Sequence, residues 1–214
     1  MVVRGLPIIA GLAPLVGINL AFWIGVNADV LPSCIPYIDG CTSISATGRY
    51  PPGDRLFRAI MLPQSVILAV TWYFAALWQK SLNPRSRTAT PALVLGLIGA
   101  LALILYVSYL GTKEPFYELM RRFGIYLYFI GTVFGQMFLT FGMQRSRVRR
   151  AMIWIVAVPW ALGLVNFLQK ALRDNPDGLE NAIEWVVSVF IQFWFLLLYL
   201  AWRQTGFAVE VKSR

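Results

Sequence analysis

Charged residues divide the chain into six long apolar stretches. The intervals without Asp, Glu, Lys or Arg are 5–28, 59–79, 88–112, 123–144, 151–169 and 185–202. A helix needs about 20 apolar residues to cross about 30 Å of hydrocarbon, and lipid forces the backbone to form its hydrogen bonds within the segment. The pattern therefore predicts an all-α, polytopic membrane protein in which residues 1–214 form a single transmembrane domain. The predicted six-helix bundle has spans at about 6–28, 59–79, 90–111, 123–143, 151–171 and 182–202.

The composition supports the membrane class. Hydrophobic residues make up 58% of the chain and charged residues 14%, whereas soluble domains carry about 25% charged residues. The first apolar stretch is longer than the roughly 7–15 residues of a signal-peptide core, so we expect a retained helix. The net charge of +9 does not indicate nucleic acid, because the basic residues flank apolar spans, where they face anionic headgroups.

Both termini are predicted to be cytoplasmic, because basic residues concentrate in cytoplasmic loops. In this orientation 11 of the 19 basic residues lie inside, whereas Glu210 is the only one of the ten acidic residues there. The strongest single indication is the run of four arginines between positions 145 and 150. The same orientation places the longest connection, 29–58, outside as the first external loop.

The first external loop is expected to be a structured element. Its prolines and glycines exclude one continuous helix over residues 29–58. Cys34 and Cys41 both lie in this loop, and two cysteines on the non-cytoplasmic side can form one disulfide. We favour the disulfide, and two free thiols are the alternative.

Polar residues recur at every fourth position in two of the predicted spans, which places them on one face of each helix. The fourth span carries Tyr128, Thr132, Gln136 and Thr140, and the sixth carries Glu184, Ser188 and Gln192. Because lipid would not solvate these groups, the two stripes are expected to face each other or a polar cavity. Hydrogen bonding between helices is the structural interpretation, and Gly131 and Gly135 in the fourth span also indicate close helix packing.

Glu184 has the strongest indication of a specific role. A carboxylate near a membrane boundary needs a partner, a proton or water, and the start of a helix favours negative charge. The candidate partners on the same side are Arg55, Arg58, Arg121 and Arg122.

Catalytic and metal sites have little support in the sequence. The chain has no histidine, which removes Ser-His-Asp and Cys-His triads and most zinc sites. No phosphate-binding loop or dinucleotide fingerprint is present. We therefore expect no metal and no cofactor, and an enzyme would have to use carboxylates and tyrosines.

Three short segments of the chain form a recognisable set. The segment 43–52, with Ser45, Thr47, Gly48, Pro51 and Pro52, is followed by Leu56, Phe57 and Met61, and it is similar to the external-loop signature of the FRAG/DRAM/SFK family of six-span membrane proteins. Leu105-Tyr106-Val107-Ser108 ends the third span as in the branch that remodels GPI anchors, and Ile183-Glu184-Trp185 opens the last span. Ala46 stands where the family usually has Asp, with Asp54 as a displaced acid, and histidines common in relatives are absent.

The resemblance implies a role in handling membrane lipids. It implies location in the Golgi or endoplasmic reticulum, lysosome or plasma membrane of a eukaryotic cell, with membrane lipids or another membrane protein as partners. The first hypothesis is a lipid-binding or lipid-organising protein. The alternatives are an enzyme or subunit that remodels the acyl chains of a GPI anchor or phospholipid, with Asp54, Glu184 and Tyr106 as acid–base candidates, and a small transporter or scramblase.

Overall fold

A computed structural model describes residues 2–172 and 177–209. Within these ranges the chain is helical, with a short 3-10 turn at Val2–Gly5 before the first α-helix. The six long helices are α1 (Leu6–Asn27), α4 (Gly53–Leu82), α5 (Ala89–Ser108), α6 (Pro115–Phe141), α7 (Arg147–Leu172) and α8 (Asp177–Gln204). Two four-residue helices, α2 (Pro36–Asp39) and α3 (Ile44–Thr47), lie between α1 and α4.

All six long helices are long and apolar enough to cross a membrane, which confirms the predicted class and number of spans. The helix ends differ from the prediction in several places. Helix α4 begins at Gly53, so the last residues of the predicted external loop 29–58 form the first turns of a helix. Helix α6 begins at Pro115 instead of 123, and α5 ends at Ser108 instead of 111.

The long helices form a ring in which each packs against its neighbours. The order around the ring is α1, α4, α5, α6, α7 and α8, and α8 closes it against α1. Helix α8 also reaches across the bundle, where Trp194 stacks on Trp72 of α4 with ring centroids 5.6 Å apart. Both tryptophans are almost fully buried, so aromatic packing fills the centre of the bundle.

Helices α5 and α6 make the closest contact in the bundle, and glycines make this contact possible. A Cβ atom at Gly131 would lie 2.6 Å from the carbonyl oxygen of Leu95 and 2.9 Å from the backbone nitrogen of Gly99. Small residues let helix backbones approach closely in a membrane. The small-residue pair Gly131 and Gly135 therefore faces a neighbouring helix, as the sequence predicted.

Helix α7 lies at the edge of the bundle. It contacts α8 and α6, and its buried side chains are confined to one narrow face. Trp154, Phe167 and Leu172 are 74%, 70% and 80% exposed. In a membrane these apolar side chains face lipid, which requires no other partner.

The two ends of the bundle are chemically different. The loop end contains α2, α3, the connection 109–114 and the start of α8. The terminal end contains the beginning and end of the described chain, where the Arg4 guanidinium donates to the carbonyl of Phe207 over 2.6 Å. Cys34 and Cys41 form a disulfide at the loop end, which confirms the predicted bond.

Candidate functional site

The bundle contains a pocket that opens among five of the long helices, with a cavity volume of about 40 Å³. We call it the bundle pocket. Its lining residues are Pro14, Ile18, Ile44, Phe57, Met61, Leu103, Tyr106, Ile125, Tyr128, Phe129, Glu184, Ser188, Ile191 and Gln192. Most of these side chains are apolar, and Glu184 is the only charged residue among them. The polar atoms are therefore few, and most lie along α8.

Glu184 lies in the second turn of α8 and is partly buried. The backbone N–H groups of Ile44 and Ser45, in the first turn of α3, face its carboxylate. The third N–H of that turn, from Ala46, donates to the Ser43 hydroxyl over 3.2 Å. The Glu184 side chain thus supplies acceptors for orphan donors at a helix start, a favourable arrangement for a carboxylate.

Three of the four arginines expected to pair with Glu184 contact other groups instead. Arg121 and Arg122 both pair with Glu118. Arg58 donates to the carbonyls of Val107, Ser108 and Leu110 at the end of α5. No ion pair among residues 2–172 and 177–209 involves Glu184. Its carboxylate lies beside the backbone amides of Ile44 and Ser45 and within the electrostatic range of Arg49.

Tyr106 is the second polar group that lines the pocket near the loop end. Its hydroxyl and the Ser45 hydroxyl form a hydrogen bond of 2.8 Å, in which either can donate. Its ring packs edge-to-face on Phe57 with a centroid distance of 6.4 Å. Ser108 has a different position: its carbonyl accepts from Arg58, and it does not line the pocket.

The two polar stripes lie against one another between α6 and α8. The Gln192 amide donates to the Tyr128 hydroxyl over 3.3 Å, and the Gln136 amide donates to the carbonyl of Ile191 over 2.9 Å. Tyr128, Ser188 and Gln192 line the pocket. Gln136 and Thr132 are 1% exposed and lie outside its lining. The stripes therefore serve both helix packing and the pocket wall.

The residues of the external-loop motif determine the path of the backbone beside the pocket but do not line it. They are Ser45, Thr47, Gly48, Pro51, Pro52 and Asp54. Thr47 donates its hydroxyl to the carbonyl of Ile44 over 2.7 Å, which closes the single turn of α3. A Cβ atom at Gly48 would lie 2.6 Å from the Phe57 ring. The Pro51–Pro52 bond is cis, both prolines are exposed, and Asp54 does not line the pocket.

Residues on α8 hold the loop in place, and sequence reasoning did not identify them as a docking site. The Trp185 indole donates to the carbonyl of Thr42 over 2.8 Å, and the Asn181 amide donates to the carbonyl of Gly40 over 2.9 Å. The Tyr37 ring packs on Trp185 with a centroid distance of 5.1 Å. In the sequence, Trp185 was notable only as the aromatic residue that follows Glu184.

Tyr37 also joins the loop to α1. Its hydroxyl and the Asn19 side chain exchange hydrogen bonds of 2.8 and 3.1 Å. Burial raises the pKa of the Tyr37 phenol above its ordinary value, and the hydrogen bond with Asn19 acts in the opposite direction. The neutral phenol is thus the form that suits this contact.

Nothing in the described part of the chain assembles the ligands of a metal ion: no group of three or more His, Cys, Asp or Glu side chains comes together there. Comparisons of the chain with protein family models, curated proteins and solved structures found no match.

Proposed function

We propose that the protein binds a membrane lipid in the bundle pocket and acts as a lipid-binding or lipid-organising membrane protein. The observation that carries this proposal is the lining of the pocket. Apolar side chains from five long helices surround one carboxylate, Glu184, and the hydroxyls of Tyr106 and Ser188. Ligand sites commonly combine a mostly apolar wall with a few polar groups that fix the orientation of the ligand.

The position of the polar groups favours a ligand with one polar end. Glu184 is the only charged lining residue, whereas Ser188 and Gln192 further along α8 donate hydrogen bonds within the bundle. Glu184 lies near the loop end, which we propose to lie at the level of the headgroups, and the wall toward the bundle centre contains Met61 and Leu103. We therefore assign the acyl chain to the apolar wall and the polar end to Glu184.

We further propose that the loop end faces away from the cytoplasm. The terminal end carries most of the basic residues of the described chain, and basic residues favour the cytoplasmic side. The resemblance of the loop segment to the FRAG/DRAM/SFK family agrees with this orientation and with a role in lipid handling, and membership in that family is part of the proposal.

The test compares two lipids that differ in hydrogen-bond donors. Phosphatidylethanolamine has an ammonium donor for Glu184, whereas phosphatidylcholine has none. We expect the protein purified from membranes of both lipids to retain phosphatidylethanolamine preferentially, as measured by mass spectrometry. Glu184→Gln should reduce the preference about tenfold, the scale of a hydrogen bond to a charged group.

Glu114→Gln is the matched control for this test. Glu114 is an exposed carboxylate at the loop end, directly before α6, and it does not line the pocket. Its replacement should therefore leave the lipid preference unchanged. Equal retention of the two lipids by the unaltered protein would rule out the proposed role of Glu184.

The remodelling enzyme is a second candidate because Glu184 and Tyr106 line the same pocket. A carboxyl group and a phenol in one pocket form a pair that can exchange protons with a bound ester. Asp54, the third acid–base candidate, does not line the pocket. Incubation of the purified protein with a labelled lysolipid and an acyl donor tests this function, and acyl transfer that Tyr106→Phe abolishes would favour it over simple binding.

A further inference from the structure

A second pocket lies at the terminal end, on the opposite side of the bundle from Glu184. It has a cavity volume of about 190 Å³, and we call it the terminal pocket. Its walls come from the end of α4 and from the turn between α6 and α7. The lining residues are Trp78, Gln79, Leu82, Asn83, Gly142, Met143 and Gln144. The two pockets have no lining residue in common.

Gln79 is the most informative residue of the terminal pocket. Its side chain is 2% exposed, and its amide nitrogen donates to the carbonyl of Leu139 over 3.1 Å. Its amide oxygen is buried and has no hydrogen-bond donor among the described residues. A buried acceptor without a donor is unfavourable. Because Gln79 lines the pocket, we infer that a ligand hydroxyl is the donor that this oxygen lacks.

Gly142 lets Gln79 take this position. A Cβ atom at Gly142 would overlap the side chains of Gln79 and Thr88. The glycine therefore allows the turn after α6 to close over the Gln79 amide. This close approach fixes the amide nitrogen toward Leu139 and leaves the oxygen as the free acceptor.

The surroundings of the terminal pocket are strongly basic. In the described part of the chain this end carries no acidic residue. Its basic residues are Arg4, Lys80, Arg85, Arg87, Arg145, Arg147, Arg149, Arg150 and Arg203. Lys80 and Arg145 directly follow the lining residues Gln79 and Gln144, and none of the ion pairs of the described residues uses them. We call these basic residues the basic rim, and such a concentration of positive charge attracts anionic headgroups.

We propose that the terminal pocket binds the headgroup of an anionic phospholipid that carries a free hydroxyl. The phosphate faces the basic rim, and the hydroxyl donates to the amide oxygen of Gln79. Leu82 lines the pocket and is 40% exposed, so the acyl chains can continue along the lipid-facing side of α4. The recognised chemistry is a phosphate ester with a neighbouring hydroxyl.

The decisive experiment compares two lipids of equal charge on the unaltered protein. Phosphatidylglycerol carries the free hydroxyls, and phosphatidylethanol lacks them. In nanodiscs that contain phosphatidylcholine and one of these lipids, native mass spectrometry should show about three- to tenfold tighter binding of phosphatidylglycerol, the scale of one net hydrogen bond. Added salt should weaken both lipids and leave their ratio unchanged.

Gln79→Leu should abolish the preference for phosphatidylglycerol. Gln64→Leu is the matched control and should leave the preference unchanged. Gln64 is also a buried glutamine on α4, and its amide donates to the carbonyl of Ala10. It lines neither pocket. The comparison of the two lipids on the unaltered protein needs no variant and remains decisive if Gln79→Leu does not fold.

Three results would overturn the proposal. Equal binding of phosphatidylglycerol and phosphatidylethanol by the unaltered protein would mean that charge alone attracts the lipid. A preference that survives Gln79→Leu would place the hydroxyl contact elsewhere. Displacement of phosphatidylglycerol by micromolar glycerol 3-phosphate would assign the same chemistry to a soluble phosphate ester instead of a lipid.

Discussion

Glycine at position 131 determines how closely two helices can approach. Replacement by alanine would place a Cβ atom 2.6 Å from the carbonyl oxygen of Leu95, and backbone atoms cannot move aside as a side chain can. Overpacking of this kind costs about 1–3 kcal/mol. We therefore expect Gly131→Ala to lower the Tm by roughly 2–10 °C for a chain of this size, as followed by tryptophan fluorescence in detergent.

Gly163 provides the control for Gly131. It also lies within a long helix, but a Cβ atom there would meet no atom within 4 Å. Gly163→Ala should leave the Tm unchanged or raise it slightly, because alanine favours the helix. An equal loss of stability in both variants would show that α5 and α6 do not depend on close contact at Gly131.

The spacing of polar residues predicted which side chains are buried better than it predicted the groups that they contact. The four-residue spacing of Glu184, Ser188 and Gln192 follows from helix geometry alone, and the last two are 7% and 4% exposed. The partner of Glu184 depends on the path of α3, which places the amides of Ile44 and Ser45 opposite the carboxylate. No local periodicity encodes that path, so Arg55, Arg58, Arg121 and Arg122 were the more obvious candidates, and no ion pair of the described residues joins any of them to Glu184.

At the scale of secondary structure, apolar stretches predicted the number of helices but not their ends. Helix α4 has 30 residues, which corresponds to about 45 Å, whereas the hydrocarbon layer is about 30 Å thick. Its first turns carry Asp54, Arg55 and Arg58 and extend beyond the apolar segment. Charged residues mark the ends of the segment that can lie in hydrocarbon. A helix continues beyond them wherever its backbone hydrogen bonds remain favourable.

The position of the loop depends on α8, and Trp185 is the residue that tests this dependence. Trp185→Phe removes the hydrogen bond to the carbonyl of Thr42 while an aromatic ring remains beside Tyr37. The loss of one such bond corresponds to about 0.5–1.5 kcal/mol. We expect amide hydrogen exchange in residues 40–47 to become about two- to tenfold faster, as measured by mass spectrometry.

Trp78→Phe is the control for the loop. It also removes an indole hydrogen bond, to the Thr205 hydroxyl over 2.9 Å, but at the terminal end. Faster exchange should then appear near residues 201–207 and not in the loop. If Trp185→Phe left exchange in residues 40–47 unchanged, the contacts with Asn181 and Tyr37 would be sufficient to hold the loop.

For the whole molecule, charge distribution relates the fold to the membrane. The disulfide and the docked loop occupy one end, and the other end carries nine basic and no acidic residues of the described chain. The two proposed lipid sites therefore lie in different chemical environments. The bundle pocket offers a carboxylate near the loop end, whereas the terminal pocket offers a free amide oxygen within a basic rim. We accordingly assign them to lipids of different headgroup charge in opposite leaflets.

The orientation itself can be measured with two single cysteines in a chain that carries Cys34→Ser and Cys41→Ser. Lys113→Cys marks the loop end and Pro84→Cys the terminal end, and both positions are exposed.

Because basic loops remain in the cytoplasm, a membrane-impermeant maleimide should label position 113 in intact cells and position 84 only after permeabilisation, if the protein lies in the plasma membrane. In sealed vesicles from an internal membrane, whose cytoplasmic face is outward, the order should reverse. If position 84 instead were labelled in intact cells and position 113 only after permeabilisation, the terminal pocket would lie in the outer leaflet. Anionic phospholipids are scarce there, so the pocket would be separated from the lipid proposed for it.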